Sequence, residues 1–202
     1  MDDTLIHDKN LDQHYERVKL YLTKCREHKI TLNRDKFEFA QESLKFVGYI
    51  VGRHGIMADP EKTRALNNFP TPKNLTELRS FLGLANQLGQ FTDKLSALMQ
   101  PLRDLLKTRN EFLWTPDHQN AFNNIKDHLA SPPILTNFDP SRETELHTDA
   151  SRTKGLGFIL MQKHREEWKI VCCGSRFISE TESRYSMVEL EMLAVVWALK
   201  KC

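Results

Sequence analysis

Glu145-Leu146-His147-Thr148-Asp149-Ala150-Ser151, followed by Arg152-Thr153-Lys154-Gly155, is the stretch on which the fold of this chain turns. Glu145–Ser151 reads as a strand-like segment, and it ends at a turn-rich tetrapeptide. Two more strand-like segments follow, at 157–162 and 168–174, so three successive strands predict a meander. Ser186 with Glu189 three residues on makes a capping box, after which Leu190, Leu193, Ala194, Trp197 and Ala198 place one apolar stripe on a closing helix.

Upstream of this sheet the punctuation is helical. Asp59-Pro60 pairs a capping carboxylate with a proline that has no amide to lose, which predicts a short helix to about Asn68. Phe69-Pro70-Thr71-Pro72 breaks the chain, and Asn74 with Glu77 starts the next helix through Leu75, Leu78, Phe81, Leu82 and Leu84. A third helix carries Leu95, Leu98, Met99, Leu102 and Leu105 and is interrupted or kinked by Pro101; a fourth starts at Thr115-Pro116 and ends before Pro132-Pro133. Further upstream still, Leu11, Tyr15, Val18, Leu22 and Cys25 form a helical stripe expected to lie against a sheet. The sheet expected beside it is a hairpin over 36–51, with Phe37 and Phe39 alternating and an apolar run from Leu44 to Val51 through Gly48.

Composition sets the bounds. The 202 residues, 40% hydrophobic and 28% charged, exclude a disordered chain, and no apolar run reaches eighteen residues, which predicts no membrane partner. A net charge of +2 means that any nucleic-acid contact is made by a local stripe rather than by bulk attraction. Cys25, Cys172, Cys173 and Cys202 include no C-x-x-C, which argues against a zinc site or a disulfide framework and for a reducing compartment.

Four carboxylates draw attention. Asp149 lies in what reads as a buried strand, where an acid needs a cation or a donor; the alternative is an edge-strand aspartate facing water. Glu191 has Ala194, Val195 and Ala198 as neighbours three, four and seven positions on, a small apolar face that suits either a shared metal site or a boundary glutamate. Asp2-Asp3 precede Leu5-Ile6, where paired acids hold metals for phosphoryl transfer or stand beside the first methionine by accident. Phe46-Val47-Gly48-Tyr49 combines aromatic rings with a glycine, which fits a nucleic-acid backbone contact or a plain bulged strand.

In order, these pieces resemble the polymerase polyprotein of gypsy-type long-terminal-repeat retrotransposons. Met1-Asp2-Asp3-Thr4-Leu5-Ile6-His7 looks like the end of the reverse transcriptase Tyr-x-Asp-Asp signature. Phe46-Val47-Gly48-Tyr49-Ile50-Val51, Gly55-Ile56 and Asp59-Pro60-Glu61-Lys62 are similar to the primer-grip hairpin and thumb entry, and 78–86 to a thumb helix. Phe112-Leu113-Trp114-Thr115-Pro116 and Pro132-Pro133-Ile134-Leu135 look like the connection. Thr148-Asp149-Ala150-Ser151, Gly155-Leu156-Gly157 and Glu189-Leu190-Glu191 resemble the opening strand and catalytic helix of the ribonuclease H domain. After Asn86 the family's aromatic and basic run is replaced by Gln87-Leu88-Gly89-Gln90-Phe91.

The resemblance implies an α+β chain in three parts: a palm remnant of helix plus β-hairpin (1–58), a helical thumb and connection (59–140), and a truncated ribonuclease H-like three-stranded sheet with one helix (141–202). It implies that Asp2, Asp3, Asp149 and Glu191 are catalytic ligands of Mg2+ or Mn2+, and that Phe46, Val47, Gly48 and Tyr49 contact nucleic acid. The implied partners are RNA/DNA hybrid, primer-template and the rest of the polyprotein, inside the cell, in the cytoplasm or nucleus. Since the fingers, most of the palm and two further ribonuclease H aspartates are expected outside these 202 residues, the chain alone is expected to be inactive. A non-catalytic nucleic-acid-binding or interaction remnant is the alternative.

Overall fold

Backbone contacts in the computed structural model, which describes residues 3–106 and 112–202, divide the chain into two units, Met1–Arg53 and His54–Cys202. In the first, α1 (Leu11–Glu27) begins where the Asn10 side chain accepts a hydrogen bond from the Gln13 amide at 2.9 Å. It ends where Lys29, at φ 57°, lets the Ile30 amide return to the Cys25 carbonyl at 2.8 Å. Only part of the expected stripe is covered: Val18 and Cys25 are buried, while Leu11, Tyr15 and Leu22 are 61%, 56% and 41% exposed. The helix therefore does not bury its whole stripe, contrary to the sequence expectation.

The hairpin of this unit is shorter than expected. β1 (Ser43–Phe46) and β2 (Tyr49–Gly52) pair antiparallel from Ser43↔Gly52 to Phe46↔Tyr49, so the apolar run from 44 to 51 is both strands with the turn in its middle. Val47 and Gly48 make that turn with φ 49° and 81°, both left-handed, the geometry of the two-residue turns whose twist matches the strands they join. Phe37 and Phe39 lie outside the strands, and Phe39 stacks on His14 with ring centres 5.1 Å apart.

The second unit places helices against a sheet. β3 (Gly55–Ala58) exchanges two backbone hydrogen bonds with Leu135 through Ile56, at 2.8 and 2.9 Å. α2 (Pro60–Asn67) and α3 (Leu75–Gln87) start at Asp59 and Asn74, whose carboxylate and amide oxygens accept from the amides of Glu61 and Glu77. α4 (Leu95–Arg103) keeps Pro101 inside its last turn and tightens into a 3₁₀ turn at Asp104–Leu106, so the proline marks the end of the helix. α5 (Pro116–Leu129) opens with a capping box in which His118, in place of the usual glutamate, returns to the Thr115 amide at 3.0 Å. Phe81 joins α3 to α5 through Phe122, ring centres 4.5 Å apart, with both rings almost completely buried.

The sheet itself is the antiparallel meander β4 (Thr144–Ser151), β5 (Gly155–His164), β6 (Glu167–Arg176), longer at most ends than the sequence suggests. β5 is central, pairing with β4 from Thr144↔Gln162 to Ser151↔Gly155 and with β6 from Leu156↔Arg176 to His164↔Glu167. At Gly155, φ is 96° and a methyl group would sit 2.2 Å from the Arg176 carbonyl oxygen, so the tight turn admits glycine alone. α6 (Met187–Lys201) starts with the expected Ser186–Glu189 box and buries Leu190, Ala194 and Ala198 with Ala150, Leu156 and Ile178 around them. The chain is thus α+β, with two antiparallel strand regions and a helical layer. No described helix is long and apolar enough to cross a membrane.

Candidate functional site

Asp149 is on β4, at one edge of the β4–β5–β6 sheet, with its side chain on the exposed set of the alternation together with Glu145 and His147. The inward residues of the strand are Leu146, Thr148 and Ala150, and the one-residue offset of Asp149 turns it to the exposed side. Beside it, His147 Nε2 lies 2.9 Å from Glu145 Oε2.

Across the sheet, Asp149 stands opposite Gly157, and Gly157 opposite Ser175. This row is covered at its far end by the turn leading into α4. The Ser96 amide donates to Ser175 Oγ at 2.9 Å, and a methyl group on Gly157 would lie 3.0 Å from the Asp93 carbonyl oxygen and 3.9 Å from its Cβ. Asp93 thereby comes to the row that Asp149 occupies, a neighbour the sequence does not announce. The only trace of it is the glycine opposite Asp149, which leaves the room that the Asp93 backbone takes.

Glu191 comes to β4 on α6, which packs against β4 and β5. Its helix face runs Val188, Glu191, Val195, Ala198, and burial along that face changes from 73% exposed at Val188 to none at Ala198. Val195 is half-buried and Glu191 exposed. The alanine face inferred from the sequence is therefore real but open at the end where Glu191 stands, so the carboxylate reaches water while the helix below it is anchored. The structure places the Asp149 and Glu191 carboxylates on two contacting elements of one unit.

A clip before α6 sets where that helix starts. Arg176, the last residue of β6, holds Glu182 through two parallel bonds of 2.8 Å, and Glu182 Oε2 also accepts from the Ser179 amide at 2.7 Å. These bonds to Arg176 hold the Glu182 carboxyl down at about 2. Arg176 stands 5.6 Å from the Trp197 ring, which in turn meets Phe158 edge-on at 5.2 Å, so the same guanidinium joins strand, turn and helix.

At the other end, Asp2 lies outside the described residues, and Asp3 is exposed in a segment with no helix or strand. In the hairpin, Phe46 ends β1 and Tyr49 starts β2, so Phe46 and Tyr49 are cross-strand partners and Val47 and Gly48 the turn between them; Val47 is 64% exposed. Among the described residues, no group of three or more histidine, cysteine, aspartate or glutamate side chains is placed to hold a metal ion. Two exposed carboxylates do suit the hard oxygen chemistry of a divalent cation that keeps several waters and completes its shell with a substrate phosphate.

Residues 114–202 match the family described as the RNase H-like domain found in reverse transcriptase. Curated relatives include the transposon Tf2-3 and Tf2-7 polyproteins of Schizosaccharomyces pombe, each 39% identical over 201 residues, 99% of this chain and 15% of the relative. The chain thus spans about 15% of the length of the curated relatives it matches. Among solved structures, it resembles the foamy viral protease-reverse transcriptase in complex with RNA/DNA hybrid, at 20% identity and a TM-score of 0.78 over 96% of this chain and 26% of that one. The same viral protein in complex with dsDNA gives 0.76 over 96% and 41%. These structural likenesses carry the fold.

Proposed function

We infer the function from one premise: the chain belongs with the Pol polyproteins of gypsy-type retrotransposons, in the segment that includes their ribonuclease H-like domain. Domains of this kind generally use divalent metals. We propose that the parent protein performs RNA-templated DNA synthesis and cleaves the RNA of the resulting hybrid. Asp149 and Glu191 supply two ligands of the hydrolytic metal site, and Asp2 and Asp3 belong to the polymerase metal site.

What supports this reading is that β4 and α6 are contacting elements that each carry an exposed carboxylate, Asp149 and Glu191, within the residues that match the RNase H-like family. Mg2+ is the cation we propose, with Mn2+ able to replace it; such an ion activates a water and neutralises charge on the phosphate. The protein's own part is to hold the two oxygen donors on rigid elements, with the Arg176–Glu182 clip fixing the start of α6 and the Trp197–Phe158 contact fixing its tilt. In the first unit, the ring pair Phe46 and Tyr49 flanking the Val47-Gly48 turn is the proposed contact with primer-template. With two carboxylates at the hydrolytic site, the 202 residues are expected to bind metal weakly and to lack useful activity by themselves.

Hybrid affinity with and without Mg2+ tests the reading. Mg2+ is expected to tighten binding of the chain to RNA/DNA hybrid, and Asp149→Asn and Glu191→Gln are each expected to remove that gain while leaving the metal-free affinity unchanged. Equal affinity with and without Mg2+ contradicts a metal site and favours the non-catalytic binding reading.

A further inference from the structure

The C-terminal end of α6 stands over β6 at a pair of thiols. Cys172 Sγ and Cys202 Sγ lie 3.8 Å apart across a separation of 30 residues in sequence, and both thiols are free. Cys202 is exposed at the cap of α6, its amide bonded back to the Ala198 carbonyl at 3.0 Å, while Cys172 is half-buried on β6 opposite Leu160. The remaining cysteines are committed elsewhere: Cys173 is buried on the other face of β6 and donates to the Gln90 carbonyl at 3.2 Å, and Cys25 is buried in the first unit.

We propose that Cys172 and Cys202 form an oxidation site, a dithiol that a peroxide closes into an intrachain disulfide tying the end of α6 to β6. Closure asks the two sulfurs to move from 3.8 Å to the ~2.05 Å of a disulfide bond. Cys202, facing water, meets the oxidant: its sulfur attacks one peroxide oxygen, the O–O bond breaks, and a sulfenic acid and one water result. The Cys172 sulfur then attacks the sulfenic sulfur, the S–O bond breaks, and a second water leaves with the remaining thiol proton. Two thiols lose two electrons in all, and one hydrogen peroxide becomes two waters. Burial, and after it the neighbouring Cys202 thiol, raises the Cys172 thiol above its ordinary value, which agrees with Cys172 as the second sulfur to react.

The bond would enclose the end of β6, the Arg176–Glu182 clip and all of α6 in one covalent loop. The helix that carries Glu191 is then fixed to the sheet at both ends. This inference stands independently of the proposed metal site.

Treating the purified 202-residue chain with hydrogen peroxide and mapping its peptides without reduction tests the proposal. The expected result is a mass loss of two hydrogens, a linked peptide pair containing Cys172 and Cys202, full alkylation of Cys25 and Cys173 after unfolding, and reversal by dithiothreitol. The oxidised chain should melt about 5–10 °C higher than the reduced one. Cys202→Ser, at an exposed position, should fold with an unchanged circular dichroism spectrum and lose the link, and Cys173→Ser should keep it. A Cys172–Cys173 link, a disulfide-linked dimer, or sulfinic acid at Cys202 with Cys172 still alkylatable would overturn the proposal.

Discussion

At Val47 a β-branched side chain sits at φ 49°, a backbone conformation that such residues avoid, in a turn whose second position already has the preferred glycine. Val47→Asn should raise the stability of the chain by about 1 kcal/mol, read from the urea midpoint. If the exposed valine contacts nucleic acid, the same variant should weaken hybrid binding, a trade expected where strain is kept at a functional turn. Gln162 presents the opposite case, a fully buried polar side chain with every bond made. Its Nε2 donates to the Asp139 carbonyl and to Thr144 Oγ1, both at 2.8 Å, and its Oε1 accepts from the Asp139 amide at 2.9 Å. Gln162→Leu leaves the Asp139 backbone without these partners, and urea unfolding should show a loss of about 2–4 kcal/mol.

Among the elements, the turn between β6 and α6 is the one whose charge pair shows in a pH profile. The folded Glu182 carboxyl, at about 2, lies below its ordinary 4.5, so its stabilisation is complete above about pH 4.5 and is lost as the pH falls through 2. Between pH 5 and 3, the melting temperature of the parent chain should therefore fall more steeply than that of Glu182→Gln; parallel profiles would contradict the clip. Elements whose ends carry a chemical signal were legible in sequence: Asp59-Pro60, Asn74 with Glu77, Thr115-Pro116 and Ser186 with Glu189 each open a helix where expected. The hairpin was misplaced because Val47 hides its turn, a valine being the residue that strand periodicity welcomes and a left-handed turn does not. At the candidate site the residue types were legible, while the exposure of Asp149 and Glu191 was left open between two readings. A one-residue alternation decides which way Asp149 faces, and the burial gradient along α6 depends on where the helix crosses the sheet, which no local pattern records. Asp93 was invisible because it arrives from a turn more than fifty positions before the strand it meets.

For the whole molecule, a net charge of +2 predicts hybrid binding through a few defined contacts, with a shallower salt dependence than a strongly basic domain shows. Cleavage of hybrid by the 202 residues alone should be no faster than by Asp149→Asn, because two carboxylates leave the metal shell to be completed from elsewhere. What the chain should retain is the metal-binding preference itself. Titrating the 15N-labelled chain with substoichiometric Mn2+ and following the loss of amide signals reads that preference directly. A metal site on these two carboxylates gives selective broadening centred on residues around Asp149 and Glu191, removed by either Asp149→Asn or Glu191→Gln and displaced by Mg2+. Broadening that spares both positions, or that survives both substitutions, would contradict it.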